Sequence, residues 1–384
     1  MENILRNLMA AAQDHCITYE QFMNTVLYHP EKGYYHRPVD KVGKKGDFYT
    51  SPTVHPVFGR TLARFFIDLI NSEELPPVVC EWGAGDGRLA AAVLEEWGRL
   101  SPDTYKDLTY IMVEDSPYLR QEQLKYLPSS RPVVQYCDWG ELREEYPAFC
   151  GILFSNELFD AFPVRVVENV EGVLHEVKVG VNEGGDLEEV RVPCVDRKIF
   201  QWLEAYGFPL KAGQRIEIPL MMTNWLKTTT NWISRGALLT IDYGFTEMEW
   251  REPLRKNGSL RGYYRHYKVD NPLVHPGEMD LTAHIHVDAV RKIMEEGGLA
   301  HIFTLSQKDF LLRAGIFDYL NETKVSDPFS PVHRQNRAVN TLVSESSMGN
   351  AFRALLQGKG LTGQFAKACG ADQTAIHGEI QKRR

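Results

Sequence analysis

The chain has 384 residues, more than one minimal domain needs, which suggests roughly two domains or one core with large insertions. Its hydrophobic fraction of 43% and charged fraction of 24% are those of an ordinary globular protein, and they exclude global disorder. The net charge of -8 opposes the broad basic footprint that nucleic-acid phosphates require, so we do not expect nucleic acid as a substrate.

The N-terminal region, residues 1–74, is predicted to contain helices and a long functional loop. Apolar positions at helical spacing indicate a helix up to about residue 30, with Thr18 as the candidate cap of a second helix. A run rich in Gly, Pro and Tyr follows, before an amphipathic helix from about Pro56 to Asn71. The first residues lack the features of a signal peptide and contain too many acids for a transit peptide, so the predicted location is cytoplasmic.

Residues 75–245 are predicted to form the core, with a hairpin insertion near residues 164–210. Four apolar segments have the composition of buried strands and alternate with helix-like sequence: PPVVCEW, LTYIMVED, GILFSNEL and ALLTIDYGF. A turn at Glu171-Gly172 between two alternating stretches indicates the hairpin. The sequence therefore predicts an α/β fold with a doubly wound, mostly parallel sheet.

Three further regions complete the chain. Residues 246–285 are polar and rich in Gly, Pro, Arg and Tyr, as expected of an inserted substrate or cap region. Residues 286–310 are predicted to end the core with a helix and an edge strand, and residues 311–384 to be mainly helical. The six cysteines form no CxxC pair, which excludes a zinc ribbon, and no segment is long enough to span a bilayer.

The central motif is a glycine turn after the first buried strand, EWGAGDG, which supplies Glu81, Gly83, Gly85 and Gly87. Glycines allow a sharp turn and a close approach of the backbone to a ligand. Glu81 can receive the cationic amino-acid end of S-adenosylmethionine, and the turn lacks the GxGxxG spacing that presents a helix to pyrophosphate. A dinucleotide site and a tight turn that binds nothing remain alternatives.

Residues at the ends of the next strands predict contacts to an adenosine group. Glu114 ends the second strand, where a carboxylate can accept both ribose hydroxyl protons. Asp138 can accept from the adenine amino group, and Trp139 can offer an apolar wall. The plain alternatives are a solvated acid at a strand end for Glu114, and a partly buried aromatic beside a surface acid for the pair.

Polar residues also follow the fourth strand, in the segment SNELFDAFP. Open α/β sheets bind ligands beyond the carboxyl ends of their strands, so Asn156, Glu157 and Asp160 are predicted to face the methyl donor as catalytic residues. With arginine as acceptor, Glu157 and Asp160 would bind the guanidinium and orient a nitrogen toward the methyl group. The alternative is that Asn156 or Asp160 caps a helix.

Eight motifs, in their order along most of the chain, resemble the MidA family of class I methyltransferases: YHPEKGYY, GDFYTSP, EWGAGDGRLA, VEDSPYLRQEQ, SNELFDAFPV, LTIDYG, GSLRGYYRH and PGEMDLTAH. The family includes a mitochondrial complex I assembly factor that methylates a protein arginine. The resemblance implies a Rossmann-like core with a seven-stranded sheet and S-adenosyl-L-methionine bound at the glycine turn. It also implies that the GDFYTSP loop closes over the cofactor with five residues: Asp47, Phe48, Thr50, Ser51 and Pro52.

Three residues beyond the core are candidates for substrate binding: Arg261, Tyr263 and His284. His284 and His286 could take the leaving proton, or they could simply pack and form hydrogen bonds. Two histidines at i and i+2 without a nearby cysteine or carboxylate pattern make a weak metal site, so no metal is expected.

The predicted function is S-adenosylmethionine-dependent methyl transfer to a protein, with an arginine side chain as the expected acceptor. The alternatives are a small-molecule methyltransferase, a noncatalytic assembly factor that retains the cofactor fold and, more distantly, an NAD-dependent oxidoreductase. The expected partner is a protein substrate, without nucleic acid and without membrane insertion. A monomer and a homodimer are both compatible with the acidic sequence.

Overall fold

The computed structural model describes residues 1–38, 55–127, 133–136, 139–322, 327, 329–344 and 351–368. The chain divides into two compact units that each combine several segments. The first unit comprises Met1–Tyr49, Leu158–Lys227 and Tyr243–Ile293, and the second comprises Thr50–Glu157, Thr228–Asp242 and Met294–Arg384. The domain boundaries given above follow the chain and stay a prediction.

The described residues form both helices and strands. The helices are α1 (Glu2–Ala11), α2 (Tyr19–Tyr28), α3 (Val57–Glu73), α4 (Arg88–Leu100), α5 (Pro102–Asp107), α6 (Pro117–Gln123), α7 (Trp139–Glu145), α8 (Arg197–Tyr206), α9 (Leu220–Trp232), α10 (Glu247–Trp250), α11 (Val287–Glu296), α12 (Gln307–Arg313), α13 (Pro331–Val343) and α14 (Gln364–Ala368). The strands are β1 (Ile17–Thr18), β2 (Val78–Trp82), β3 (Thr109–Val113), β4 (Val133–Tyr136), β5 (Phe149–Asn156), β6 (Arg165–Val170), β7 (Val173–Val181), β8 (Leu187–Pro193), β9 (Arg215–Ile218), β10 (Ile233–Phe245), β11 (Arg261–Tyr264), β12 (Tyr267–Val269), β13 (Asp280–Thr282), β14 (Ile285–His286), β15 (Ala300–Ser306) and β16 (Phe352–Lys359).

The second unit is built on a sheet with the strand order β4-β3-β2-β5-β10-β16-β15. Strands β2, β3, β4, β5 and β10 pair in parallel, whereas β15 and β16 are antiparallel. The central strands β2, β5 and β10 are apolar and buried along most of their length, as parallel strands covered on both faces require. The short strand β14 pairs with β10 as an eighth strand beside these seven. The predicted mostly parallel α/β fold is therefore confirmed.

Helix α3 packs on this sheet through an aromatic face. The ring of Phe66 lies 5.4 Å from the ring of Phe154 in β5, and both side chains are fully buried. The helix ends at the buried Glu73, whose carboxylate accepts hydrogen bonds at 2.7 Å from the hydroxyl of Thr362 and from the backbone N–H of Phe365. A single carboxylate thereby fixes the start of α14 against the end of α3.

The first unit contains two antiparallel sheets. One has the strand order β1-β7-β6-β9, with β8 paired to β7, and the other has the order β12-β11-β13. Helix α2 covers a core cluster that includes Phe22, Val166 and Leu281. Strand β14 pairs in parallel with the last residues of β10, Gly244 and Phe245.

Several local predictions agree with the structure. Thr18 caps α2 in a capping box with Gln21. Glu171 and Gly172 turn the β6–β7 hairpin with positive φ angles of 49° and 91°. The mainly helical prediction for the C-terminal region missed strand β16, because a strand inserted from a distant part of the chain leaves no alternating pattern when both of its faces are buried.

Candidate functional site

The glycine turn joins β2 to α4 in the second unit. Gly83, Gly85 and Gly87 have φ angles of 72°, 56° and 84°, a region that side chains other than glycine rarely adopt. The N–H of Gly83 donates to the carbonyl of Val113 in β3 at 2.9 Å, which holds the turn against the neighbouring strand. A Cβ built on Gly85 would meet no atom of the described residues within 4 Å, so none of them crowds the backbone there. The turn therefore leaves room for a ligand.

Glu81 lies in β2 immediately before this turn and is only 3% exposed. The hydroxyl of Tyr110 donates to its Oε2 at 2.8 Å. Burial raises the pKa of Glu81 to about 8, and this effect outweighs the Tyr110 hydrogen bond that favours the charged form. A buried carboxyl group with such a pKa is well suited to a cationic group, which would restore its charged form.

Glu114 supports the turn from the end of β3. One of its oxygens accepts from the N–H of Gly85, and the other accepts from the N–H of Ser116, both at 2.9 Å. Burial raises the pKa of Glu114 to about 7, against the effect of these two backbone donors. Each oxygen keeps a second lone pair, which is the arrangement that two ribose hydroxyls would need.

Two partners of the turn were missed by the sequence analysis. Gln123 at the end of α6 is fully buried, and its side-chain amide donates to the carbonyl of Gly85 at 2.8 Å. Nothing in its polar helical segment distinguishes it from its neighbours. Tyr110 left a clearer signal, because a tyrosine within a buried strand needs a hydrogen-bond acceptor nearby.

An aromatic group follows in the same unit. The ring of Trp139 at the start of α7 lies 5.0 Å from that of Trp82 at the end of β2, and 4.9 Å from that of Trp232. Trp139 is partly exposed, as an apolar wall for adenine would be. Six predicted cofactor residues lie outside the described residues: Asp47, Phe48, Thr50, Ser51, Pro52 and Asp138.

Asn156 and Glu157 stand at the carboxyl end of β5. The amide nitrogen of Asn156 donates to Oε1 of Glu157 at 3.0 Å, whereas Oδ1 of Asn156 is buried and has no hydrogen-bond partner among the described residues. Glu157 has a positive φ of 52°, and its N–H donates to the carbonyl of Ile241 at 2.9 Å. A buried hydrogen-bond acceptor without a partner and a glutamate with strained backbone both reduce the stability of the fold. Such features are concentrated at functional sites.

Asp160 belongs to the first unit and is 4% exposed. Its backbone carbonyl accepts from the N–H of Ala283 at 2.8 Å. Its charge contributes, after burial and the charges of Asp280 and Tyr28, to a pKa of Tyr35 far above the ordinary value for a phenol. The catalytic assignment of Asp160 stays a prediction.

Arg261 and His284 contact each other in the first unit, with Nη2 of Arg261 2.6 Å from Nδ1 of His284. Burial, followed by the charges of Arg261 and Arg255, holds the pKa of His284 well below its usual value, so the imidazole is neutral. Tyr263 lies in β11 with Arg261, two residues further along the strand. Because alternate residues of a strand share a face, Arg261 and Tyr263 lie on the same side of this sheet.

His286 is a packed core residue. Its ring stacks on Trp250 with centroids 4.6 Å apart, and Nε2 donates to the carbonyl of Glu217 at 2.8 Å. Burial lowers the pKa of His286 to about 4. Within the described residues, no group of three or more His, Cys, Asp or Glu side chains could hold a metal ion.

The second unit also contains a cavity that is separate from the predicted site residues. It has a volume of about 310 Å³, and its lining includes Phe65, Asp68, Phe303, Phe310 and Phe365. None of the predicted site residues contributes to it. Within the described chain, no helix combines the length and the apolar character needed to cross a membrane.

Comparison with known proteins now adds to this geometry. Residues 61–304 match the model of a family of S-adenosyl-L-methionine-dependent methyltransferases. A crystal structure from Burkholderia thailandensis bound to S-adenosyl-homocysteine is 30% identical, with a TM-score of 0.84 over 94% of this chain and 92% of that one. The Rattus norvegicus protein arginine methyltransferase NDUFAF7, mitochondrial, is 27% identical over 92% of this chain and 84% of its own length. Its Drosophila melanogaster homologue is 28% identical over 73% of this chain and 67% of its own.

These relatives correct one prediction. The proteins from Rattus norvegicus, Drosophila melanogaster and Homo sapiens are all named mitochondrial. The predicted cytoplasmic location is therefore wrong. The absence of a recognisable leader pattern in the first residues was too weak an observation to decide the compartment.

Proposed function

Because the chain belongs to the family of S-adenosyl-L-methionine-dependent methyltransferases that the MidA motifs indicated, we propose that it methylates an arginine side chain of a protein. The cofactor is S-adenosyl-L-methionine, and the enzyme is a methyltransferase. Relatives named protein arginine methyltransferase support the choice of acceptor. The observation that carries the proposal is the pair at the end of β5, where Glu157 offers a carboxylate and Asn156 a buried, unpartnered oxygen.

The residues around the glycine turn fit this cofactor. Glu81 would hold the ammonium of the methionine part, Glu114 would hold the ribose hydroxyls, and Trp139 would contact the adenine ring. The space beside Gly85 would leave room for the cofactor. The bound cofactor supplies an electrophilic methyl group on a positively charged sulfur. Asp138 and the predicted lid residues complete our proposed cofactor contacts: Asp47, Phe48, Thr50, Ser51 and Pro52.

Glu157 and Asn156 would act on the acceptor. A guanidinium has N–H donors on each of its three nitrogens, and a carboxylate beside an amide oxygen gives it two acceptors in a fixed arrangement. Bound in this way, one nitrogen would be oriented for attack. The new N–CH3 bond would form as the S–CH3 bond breaks and S-adenosylhomocysteine leaves, and the proton lost by the nitrogen would pass to the carboxylate of Glu157. Asp160, three residues further along the chain, remains in the proposed set as a second carboxylate. The main contribution is alignment of the nucleophile, because the methyl group is already reactive.

Methyl labelling tests this proposal. The full chain is incubated with labelled S-adenosyl-L-methionine and a cell lysate, and mass spectrometry identifies the modified residue. We expect label on arginine in protein, reduced by at least about 100-fold in Glu157→Gln. The matched control is Glu188→Gln, which makes the same change at an exposed position of β8.

Three outcomes would contradict the proposal. Label in a low-mass product would indicate a small-molecule methyltransferase. Full activity of Glu157→Gln would remove Glu157 from the acceptor site. Tight binding of a partner protein without any methyl transfer would favour the noncatalytic assembly factor. Light scattering on the same preparation would distinguish a monomer from a homodimer.

A further inference from the structure

A basic stretch stands out within this acidic chain. Residues 251–268 contain six basic residues and one acidic residue, a net charge of +5, whereas the whole chain carries -8. All of these residues belong to the first unit and are described. So strong a local reversal of charge indicates a surface adapted to an anionic partner.

The register of the three-stranded sheet places part of this charge on one face. Tyr263 pairs with Lys268, and Arg261 pairs with Thr282. Directly paired residues share a face, and so do alternate residues along one strand. The opposite face contains Leu281 and packs into the core. Arg261, Tyr263, Lys268 and Thr282 therefore lie on one side of the sheet, which we call the basic face. Asp280 also pairs with Tyr263 and belongs to this side, but it is buried and its carboxylate accepts a hydrogen bond from the hydroxyl of Tyr35 at 2.7 Å.

Arg261 is the residue of the basic face whose positive charge is least neutralised by a carboxylate. Among the ion pairs of the described residues, Lys268 binds Asp270 at 2.8 Å, whereas Arg261 has no carboxylate partner. Its guanidinium contacts the neutral ring of His284, which brings no negative charge. A guanidinium held in this way keeps donors available for an incoming acceptor.

A second guanidinium lies next to the same imidazole. Arg255 sits 3.9 Å from the ring centre of Phe245, and the Phe245 ring is 4.3 Å from that of His284. One end of Arg255 pairs with Glu252 at 3.0 Å, but its Nε is buried without a partner. Arg255 and Arg261 thus flank His284, and both have hydrogen-bonding capacity that the described residues do not fill.

The backbone under these cations is fixed. The carboxylate of Glu217 accepts from the hydroxyl of Ser259 at 2.9 Å and from the N–H of Leu260 at 3.2 Å. This close approach requires a glycine at position 258, because a Cβ there would lie 2.3 Å from Oε1 of Glu217. Ser259 in turn accepts from the N–H of His284 at 2.9 Å. The residues next to Arg261 and His284 are therefore held in place before any ligand arrives, which lowers the cost of binding.

We propose that the basic face, with Arg255 and His284 beside it, binds carboxylate side chains in an acidic segment of the protein substrate. The inference rests on the proposed function, because it assumes that the substrate is a protein. Paired arginine forks match the geometry of carboxylates, and each can form two parallel hydrogen bonds. A polypeptide fits better than nucleic acid, because the net charge of the rest of the chain repels a long polyanion.

Peptide binding to the full chain tests this inference without the methyl donor. The probe is a short fluorescein-labelled peptide that alternates Glu and Ser, compared by anisotropy with the same peptide carrying Gln in place of Glu. We expect the Glu peptide to bind more tightly, and its affinity to fall with added salt. Arg261→Gln should weaken binding of the Glu peptide by about tenfold, because it removes a charge-assisted bidentate contact.

Arg251→Gln is the matched control, since it removes one positive charge from the same stretch but at an exposed ion pair with Glu247. It should change binding by no more than about twofold. Lys268→Gln, at an exposed position of the basic face, should weaken binding by about threefold. This variant tests the basic face if Arg261→Gln does not fold. Titration with S-adenosylhomocysteine, expected to be unchanged in all three variants, checks the cofactor site.

The inference is overturned if Glu and Gln peptides bind equally, or if Arg251→Gln is as harmful as the changes on the basic face. Tighter binding of a single-stranded RNA of equal charge would overturn it in favour of nucleic acid. Failure of protein methylation with intact binding of the Glu peptide would refute the proposed function alone. Methylation of arginine without any preference for Glu peptides would refute only this inference.

Discussion

The affinity for the cofactor should depend on pH through Glu81. Without a ligand its pKa is about 8, because the carboxyl group is buried, so most of it is protonated at neutral pH. The ammonium of S-adenosylhomocysteine would bind the charged form, so binding near pH 7 should release a proton. Affinity should therefore rise with pH until Glu81 ionises without help.

The size of the effect follows from the pKa. With a pKa of about 8, the charged fraction of Glu81 is roughly a half at pH 8, a tenth at pH 7 and a hundredth at pH 6. The Kd should therefore weaken about fivefold from pH 8 to 7 and about 50-fold from pH 8 to 6. Glu114, with a pKa of about 7, would add to the loss below pH 7.

Calorimetric titration with S-adenosylhomocysteine measures both quantities, since the Kd gives the affinity and buffers of different ionisation enthalpy give the protons released. Glu81→Gln should bind about ten- to 100-fold more weakly at pH 8 and should lose the dependence between pH 7 and 8. Tyr110→Phe should extend the dependence above pH 8, because the lost hydroxyl stabilised the charged form. A Kd of the unchanged protein that is constant from pH 6 to 8, with the fold intact, would refute this reasoning.

Three further predictions concern residues at the candidate cofactor site. Gly85→Ala and Gly172→Ala should each cost ~1 kcal/mol of stability, because both glycines have positive φ and neither Cβ would meet a described residue. Only Gly85→Ala should lose cofactor binding; thermal melts compare the stabilities and titration compares the binding. The ligand-free protein should lose stability as pH rises from about 4.5 to 8, because the carboxyl group of Glu81 is protonated in the folded state but ionised in the unfolded state. Glu81 contributes at most about 5 kcal/mol to this loss. Denaturant melts across this pH range should show a smaller loss of stability in Glu81→Gln. S-adenosylhomocysteine should change the tryptophan fluorescence, and Trp139→Phe should remove most of this change; an equal response in Trp139→Phe would count against the adenine wall.

The candidate cofactor residues could be chosen from the sequence because that information is local. Glu81 and the glycines lie within one short segment, and Glu114 ends the next buried strand, so spacing along the chain was enough. The contacts that hold the turn are not local. Gln123 reaches Gly85 across 38 residues, and its identity follows from packing that no single segment encodes.

The structural properties of the residues that we propose for acceptor binding were less predictable. The positive φ of Glu157 and the unpartnered oxygen of Asn156 are properties of the folded backbone, although both residues were identified by their position after a buried strand. The two histidines of DLTAHIHV could not be distinguished by sequence, whereas the structure gives His286 a stacked tryptophan and a carbonyl partner. His284 is also buried, but the charges of Arg261, Arg255 and Lys268 act on it, which is a long-range effect.

The place of β16 has a consequence for biosynthesis. This strand sits between β10 and β15 in the sheet, yet it is the last strand of the described chain to leave the ribosome. Until then β15 has no neighbour, and Glu73 lacks the backbone donors that bind its buried carboxylate. A nascent chain can complete the strands that flank the glycine turn early, but one halted before residue 352 would expose an unfinished sheet edge to chaperones and proteases.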